Sequence, residues 1–310
     1  MSNKIRRPDL EAAPVKYPDY IGPKIFPFLG KAQQGGTMYY QKYQADVAAQ
    51  YGRNTAALAE ISATVMAAHT TTFACQEVRG RFMMSYDQVR GYSSVDRADL
   101  AMGRVSKRSF YNKIEILAAK AALEDDSAID ATSNIVATVA NKATALQDLA
   151  KGPVCMAISD KVYQLLKQNE VVIDRMKYSG IGAGQGGDPR IVTPEQLAAI
   201  FNVRNVYVGA DDLWRLGVGA AYRGNACLFV EGDENEDPAE TCQLGRTIFF
   251  EWDNAVRHFV MESYEDDDKD ARVVDSKGQI DLKILNANLK KTLTLFAADE
   301  SDSESDSDSN

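Results

Sequence analysis

A glycine-rich stretch, Gly182 to Gly187, is the part of this sequence that most directly suggests chemistry. Its spacing matches G-x-G-x-x-G, with which dinucleotide-binding enzymes bring backbone amides close to a pyrophosphate. That chemistry requires the motif to follow a strand and to open a helix, so that the phosphate meets the helix N-terminus. Here a predicted helix precedes the motif, and Asp188-Pro189 follows it. The sequence therefore favours a loop, and an enzyme of the nicotinamide-dinucleotide type is the weaker alternative.

A second ligand-like pattern is Asp233-x-Asn235-x-Asp237. Oxygen-bearing side chains at alternate positions begin the calcium loop of an EF-hand, which then needs a turn glycine and a late bidentate glutamate. Pro238 and Leu244 occupy those two positions here. The pattern predicts no EF-hand, and a loose surface cation site is the remaining alternative.

The cysteines and histidines form no recognisable reactive group. The four cysteines are scattered and none belongs to a C-x-x-C pair, so they are interpreted as reduced, mostly buried small side chains. Zinc needs clustered ligands, and only two histidines, His69 and His258, could add to them. The chain also lacks a G-x-S-x-G elbow and a Walker loop. The sequence therefore predicts no catalytic residue, no metal site and no cofactor.

Charge is distributed unevenly along the 310 residues, whose net charge is −9. Acids concentrate in residues 231–240, in 262–270 and in the tail after Ala298, and each run is interpreted as a solvated loop or tail. An acidic chain is a poor general nucleic-acid binder, because phosphate contacts need clustered Lys and Arg. No apolar run approaches the ~20 residues that span a bilayer, so a soluble, cytosolic chain is expected.

The first 50 residues differ from the rest. Five prolines between residues 8 and 27 interrupt any helix and favour extended backbone. Aromatic and aliphatic side chains are interleaved with them, which is not typical of a disordered tail. A segment of this kind cannot form its own core. It is therefore expected to lie along other surfaces, the spine helix described next and an adjoining subunit.

Two further segments have clear patterns. Residues 60–90 are rich in Thr, Val, Phe and Met and predict a long hairpin or ribbon, with a helix over Thr55–Met66 as the alternative. Residues 94–123 predict a helix about 40 Å long, which suits a spine. Its predicted apolar stripe is Phe110, Ile114, Leu117 and Ala121, and its predicted polar face carries Arg104, Lys107, Arg108 and Lys113.

A compact α/β unit is predicted between residues 134 and 208. It consists of a helix over 134–151, a buried strand over 154–158, a helix over 160–169, a glycine-rich loop, a helix from Pro194 to about Asn202 and a strand over 206–208. Thr193 and Gln196 form a capping-box pattern at the start of the last helix. Beyond residue 242 the sequence predicts mainly strands, over 247–252, 256–264 and 280–295.

This order of segments resembles the major capsid proteins of tailed bacteriophages, which have the Hong Kong 97-type coat fold. The stretch IGPKIFPFLGKAQQGGTMYY (21–40) looks like the arm of that family. The α/β lobe of that family is similar in sequence and spacing to DRMKYSG (174–180) and IVTPEQLAAIFNVRNVYVGADDLW (191–214). Cys75-Gln76-Glu77 precedes the spine helix, as the ribbon of the family does. The resemblance covers residues 15 to 295, and its specificity lies in the order of the motifs.

The resemblance implies an α+β, Hong Kong 97-like capsid fold with a defined division of the chain. The implied parts are an N-terminal arm (1–59), an extended β loop (60–93), a peripheral domain with the spine helix (94–152 and 240–275), an α/β axial domain (153–239 and 276–298) and a disordered acidic tail (299–310).

The implied function is self-assembly, with no enzymatic activity. The chain would form hexamers and pentamers of an icosahedral head shell around the phage genome, assembled in the host cytoplasm and located in the virion. A separate scaffolding protein, a portal and a decoration protein are the implied partners, and packaged DNA would be contacted without sequence specificity. An encapsulin shell that packages cargo enzymes is the alternative within the same fold.

The assembly interface is expected in the arm and the ribbon. The ribbon arginines should meet the acidic runs of a neighbouring subunit, because charged rims orient partners. The candidate interface residues are Ile25, Phe26, Phe28, Tyr39, Tyr40, Arg79, Arg81 and Arg90.

Overall fold

The computed structural model describes residues 4–12, 20–41, 68–123, 128–150, 152–179, 192–218, 224–239, 241–252 and 258–296. The glycine-rich motif at 182–187, the alternative helix at 55–66 and the acidic tail at 299–310 lie outside the described residues.

The described chain is a mixed α+β structure. Its first half contains β1 (Ile5–Arg6), α1 (Pro8–Ala12), α2 (Gly22–Ile25), β2 (Phe28–Lys31), β3 (Gly35–Gln41), β4 (Ala68–Ala74), β5 (Gln76–Ser85), α3 (Tyr86–Arg90), α4 (Val95–Leu123), β6 (Ile129–Asp130) and α5 (Ile135–Ala150). Its second half contains β7 (Val154–Ser159), α6 (Asp160–Gln168), α7 (Glu170–Ser179), α8 (Pro194–Phe201), β8 (Val206–Gly209), α9 (Asp211–Val218), β9 (Asn225–Val230), β10 (Gly245–Phe250), β11 (Val260–Asp266), β12 (Ala271–Ile284) and β13 (Lys290–Thr294).

The larger sheet is built around β12. Its strand order is β1-β11-β12-β10-β2, and β5 pairs antiparallel with β12 over ten residues. The other antiparallel partners of β12 are β11 and β10, whereas β2 from the arm lies parallel to β10. The arm therefore contributes two strands to a sheet whose other strands come from the middle and the end of the chain.

The smaller sheet has the order β6-β13-β9-β7-β8 and is covered on both faces. Alternate residues of a strand point to opposite faces. In β7, Met156 and Ile158 pack with α5, α6 and α8, whereas Cys155 and Ala157 pack with the arm and the C-terminal half of α4. All six residues of β7 and of β9 are buried. A central strand covered on both faces has a continuous apolar sequence, as VCMAIS does.

Helix α4 packs against both sheets, and it does so with different faces. Its N-terminal half buries Ala98, Met102 and Phe110 against the larger sheet. Its C-terminal half buries Ala118 and Ala122 against the smaller one. At 3.6 residues per turn, the buried face rotates by about 150° between the two halves. The helix therefore lies between the two sheets. The larger sheet covers one side of its N-terminal half, and the smaller sheet covers the nearly opposite side of its C-terminal half.

The backbone of α4 approaches the larger sheet very closely at Ser106. Its hydroxyl donates to the carbonyl oxygen of Gly80 at 2.6 Å, and the hydroxyl of Ser276 donates to the carbonyl oxygen of Ser106 at 2.9 Å. A Cβ atom on Gly80 would lie 2.8 Å from the backbone nitrogen of Phe110. The small residues at these three positions allow a helix backbone to rest directly on strands β5 and β12.

Most predicted elements are confirmed. The spine helix, the helix at 135–150, the strand at 154–159 and the capping box of α8 lie where the sequence places them, with Asn202 in the left-handed conformation at the end of α8. Helices α7 and α9 and strand β9 were not predicted.

Two predictions about the spine and the ribbon are wrong. Leu117 was assigned to the apolar stripe of the spine and is 43% exposed, whereas Lys107 was assigned to its polar face and is 1% exposed. The apolar pattern misleads here because the buried face changes sides along the helix. Within the predicted ribbon, β4 and β5 do not pair with each other: β4 pairs with β3 and β5 with β12.

These pairings also bear on the implied division of the chain. β5 belongs to the larger sheet, although the extended loop was expected to include it. The expected boundary between residues 275 and 276 falls inside β12.

We expect Gly80→Ala to lower the free energy of unfolding by about 1–3 kcal/mol, because its methyl group would push helix and sheet apart. The measurement is urea-induced unfolding followed by circular dichroism. Gly91→Ala is the matched control, since Gly91 has an ordinary helical φ of −68° and should tolerate a side chain with a change of no more than about 1 kcal/mol. Equal stability of the two variants would contradict the close helix–sheet contact.

Candidate assembly surfaces

A buried carboxylate joins the arm, the spine helix and helix α9. The Glu115 side chain accepts hydrogen bonds from the backbone amides of Ile21 and Gly22 at 3.3 and 2.7 Å, and from the indole nitrogen of Trp214 at 3.0 Å. Glu115 is 1% exposed and Trp214 is 2% exposed. A Cβ on Gly22 would lie 2.9 Å from the Glu115 carboxylate, so this position of the arm requires a glycine.

The electrostatics of Glu115 follow from its burial. Desolvation raises the pKa of the Glu115 carboxyl, and the three hydrogen bonds to its oxygens act in the opposite direction. Tyr20, one residue before this contact, stacks on Tyr111 with ring centroids 5.7 Å apart and donates to the Asn112 side chain at 2.5 Å. The arm is therefore attached to the spine by a polar contact next to an aromatic one.

Charged groups attach the beginning of the chain to the larger sheet. Asp99 of the spine is fully buried, accepts from Arg272 at 2.6 and 2.8 Å, and also pairs with Arg7. Glu11, equally buried, accepts from the backbone amide of Met261 at 3.1 Å. The Lys107 ammonium donates to the Glu11 carbonyl oxygen at 2.8 Å, which explains the burial of this lysine.

A two-stranded hairpin is formed by β3 and β4, paired from Gly35 opposite Ala74 to Gln41 opposite Ala68. Its base is tied to the larger sheet, since Met38 and Phe73 pack on Ile248 and Leu285. The two strands form a sheet of their own. The hairpin therefore presents surface that the subunit's own core does not use, and Tyr39 is 59% exposed on it.

The apolar candidates for the assembly interface separate into two groups. Ile25 and Phe26 are 1% and 0% exposed within their own chain, so they have no surface for a neighbour. The expectation that they contact another subunit is corrected, because the spine and the smaller sheet of the same chain already cover them. Phe28 is half-buried against Phe249 and His258. Tyr39 and Tyr40 lie on the hairpin, where Tyr40 is opposite His69.

The arginine candidates have partners within their own chain. Arg81 makes two hydrogen bonds to Asp275, at 2.8 and 3.1 Å, and the Asp275 side chain is only 2% exposed. Arg79 pairs with Glu77, and Arg90 pairs with Asp87 at 3.3 Å with 81% of its side chain exposed. Arg81 thus neutralises a buried carboxylate of its own sheet, whereas the Arg90–Asp87 pair is exposed to solvent on both sides.

The other sequence motifs have structural explanations. Burial raises the pKa of the Cys155 thiol to about 12 and that of Cys75 to about 11, so neither is a reactive thiolate at neutral pH. The carbonyl oxygens of Asp233 and Glu236 accept from the buried Arg246 guanidinium.

Over the described ranges, no group of three or more His, Cys, Asp or Glu side chains is placed to hold a metal ion. None of the described helices is long and apolar enough to cross a membrane.

Sequence reasoning did not identify the residues that hold these surfaces together. Glu115 and Asp99 occupy a helix rich in charged residues, where a carboxylate is ordinarily solvent-exposed. The available signal was positional, since Asp99 and Glu115 fall on faces that the neighbouring Ala98, Ala118 and Ala119 mark as apolar.

No family model and no curated protein matches the sequence. Solved structures do match in fold. A phage-related protein from Bordetella bronchiseptica RB50 superposes with a TM-score of 0.69 at 16% identity, over 94% of this chain and 98% of that one. The capsid of cyanophage P-SCSP1u has a TM-score of 0.52 at 12% identity, over 91% and 89% of the two chains. The capsid of Ralstonia phage GP4 has a TM-score of 0.51 at 10% identity, over 93% and 94%. The chain therefore has the mixed α+β fold of phage capsid subunits.

We expect Glu115→Ala to lower the free energy of unfolding by about 3 kcal/mol or more, because three buried donors lose their acceptor. Hydrogen exchange at the Ile21 and Gly22 amides should accelerate together with this loss. Asp148→Ala, which removes an exposed carboxylate from α5, is the control and should change stability by no more than about 0.5 kcal/mol. Unchanged exchange at the two arm amides would contradict the anchoring role.

The pH dependence of stability should reveal the raised pKa of Glu115. The pKa of Glu115 is higher in the folded than in the unfolded chain, so the protonated carboxyl favours folding. This contribution to the free energy of unfolding is complete below the unfolded pKa of about 4.3, and it is lost as the pH rises through the folded pKa. Unfolding of wild type and Glu115→Gln should be compared from pH 4 to 8. The free energy of the wild type relative to the variant should decrease as pH rises, and an increase would contradict the burial effect.

Proposed function

We propose that this chain is the major capsid protein of a tailed bacteriophage, a structural subunit that is not an enzyme. The observation that carries the proposal is the agreement in fold with phage capsid structures over about nine tenths of both chains. Fold alone does not determine function. The hairpin adds support, because it forms a sheet of its own with an exposed aromatic side chain and a shell subunit must contact neighbours on several sides.

The organisation within the subunit is proposed to be of the Hong Kong 97 type. In this assignment the larger sheet with the N-terminal half of the spine forms the peripheral domain, and the smaller sheet with its helices forms the axial domain. The β3–β4 hairpin takes the role of the extended loop. The arm runs along the spine, held by Glu115.

The assembly mechanism combines modest interfaces. Standard protein interfaces bury roughly 1,200–2,000 Å² in total, and charged rims orient partners more than they add affinity. On one subunit, the interface would consist of the half-buried Phe28, Tyr39 and Tyr40 of the hairpin, and the exposed guanidiniums of Arg79 and Arg90. The acids of 262–270 are mostly exposed at the turn between β11 and β12, where a neighbour's arginines would reach them.

The partners follow from the proposed role. Hexamers and pentamers of this chain would close an icosahedral shell around the genome, with a separate scaffolding protein, a portal and a decoration protein. Assembly would take place in the host cytoplasm, and the mature location would be the virion.

Electron microscopy of the full-length protein expressed alone tests the proposal. Closed shells or capsomer rings are the expected products. Shells that contain a cargo enzyme would instead identify an encapsulin, and a protein that stays monomeric at all concentrations, with or without a scaffold, would overturn the assembly role.

We expect Tyr39→Ala to reduce the yield of closed shells at least several-fold while leaving the unfolding midpoint unchanged, because this ring is exposed on the hairpin. Light scattering and microscopy measure closure, and circular dichroism measures folding. Tyr92→Ala is the matched control, since Tyr92 is 39% exposed but lies outside the hairpin. Equal closure by the two variants would remove the hairpin from the interface.

A further inference from the structure

Three arginines form an exposed line along the N-terminal half of the spine. Arg97, Arg104 and Arg108 are separated by seven and four residues, so at 100° per residue they lie within about 40° of one another around the helix axis. The line is about 16 Å long. All three are exposed, on the side of the helix that faces away from the larger sheet. We call Arg97, Arg104 and Arg108 the arginine line.

The positive charge of the arginine line is not neutralised by the described chain. No carboxylate there forms an ion pair with any of the three, and the nearest acid in sequence, Asp96, pairs with Arg7 instead. Arg108 and Arg104 are four residues apart, a spacing at which like charges on a helix repel. Arg108 also lies close to the Tyr20 phenol, which is neutral at neutral pH and does not cancel the charge.

Three other exposed cations differ from the arginine line, because each has a carboxylate partner in the chain. Arg90 pairs with Asp87, Arg204 with Glu231 and Lys269 with Asp266. Those groups lie beside the chain's own acids, which weaken the field they present to solvent. The arginine line therefore has the chemistry of a surface for a linear polyanion, although the whole chain is acidic.

We infer that the arginine line binds the phosphate backbone of duplex DNA without reading its sequence. This deepens the proposed capsid function, since it places the contact with packaged DNA on the free side of the spine helix. Guanidinium groups suit phosphate because they donate several hydrogen bonds and keep their charge. Three contacts give weak binding by one subunit, and repetition over a closed shell would multiply them.

The test is the salt dependence of binding of a fluorescent 30-base-pair duplex to the full-length soluble subunit, measured by anisotropy. Each neutralised phosphate contributes about 0.9 to the slope of log affinity against log salt. The variant Arg97→Gln/Arg104→Gln/Arg108→Gln should lose most of the binding at low salt and reduce the slope by about 2.7. Replacing the three arginines by lysine should retain binding, because the attraction depends mainly on charge.

The control removes the same charge elsewhere. Arg175→Gln/Arg204→Gln/Lys269→Gln has the same net charge as the glutamine variant, removes exposed cations that have no proposed role, and should bind DNA nearly as the wild type does. An equal loss in both variants would mean that only net charge matters and would overturn the inference. Binding of a synthetic peptide of residues 299–310, but not of DNA, to the arginine line would also overturn the inference, since the acidic tail would then be the ligand of this surface.

Shell formation by the same variants is scored separately by microscopy. If DNA binding depends on the arginine line but the protein never forms shells, the capsid proposal is contradicted and the DNA contact is supported. If the glutamine variant forms normal shells and binds DNA as the wild type does, the capsid proposal is supported and the DNA contact is contradicted.

Discussion

The direct contact between the backbone of the spine helix and the larger sheet is the constraint on which the rest of the subunit depends. A helix usually stands about 10 Å from a sheet because side chains fill the space between them. At Gly80, Ser106 and Ser276 these side chains are small enough for hydroxyl groups to bridge the gap. The larger Phe110 and Met102 can then fill the space on either side, and both are completely buried.

Buried charge is the second organising feature. Asp99, Glu11, Glu115 and Asp275 each lie in the interior or close to it, and each receives donors from a distant part of the sequence. Burying a carboxylate is costly, so these groups contribute to specificity only because their partners are complete. They fix the arm at two points, and the arm in turn contributes strands β1 and β2 to the larger sheet.

Local patterns in the sequence predicted most helices and strands but not their pairing. The capping box at Thr193 and Gln196 and the apolar run Val154–Ile158 are local signals, and the structure confirms both. The pairing of β4 with β3 depends on contacts between residues up to 39 positions apart, such as Gly35 and Ala74. The burial of Lys107 depends on the Glu11 carbonyl, almost a hundred positions away. A prediction from periodicity has no access to either contact, so the hairpin strands were assigned to the wrong partners.

The change of buried face along the spine restricts how related sequences can vary in length. Inserting one residue between Phe110 and Ala118 would turn the C-terminal half of the helix by about 100° and point Ala118 and Ala122 away from the smaller sheet. An insertion or deletion of seven residues, close to two whole turns, would leave the faces nearly aligned but would shift the two sheets by about 10 Å. Homologous chains are therefore expected to vary in their loops while keeping this stretch of helix at constant length, even where sequence identity has fallen to the level of chance.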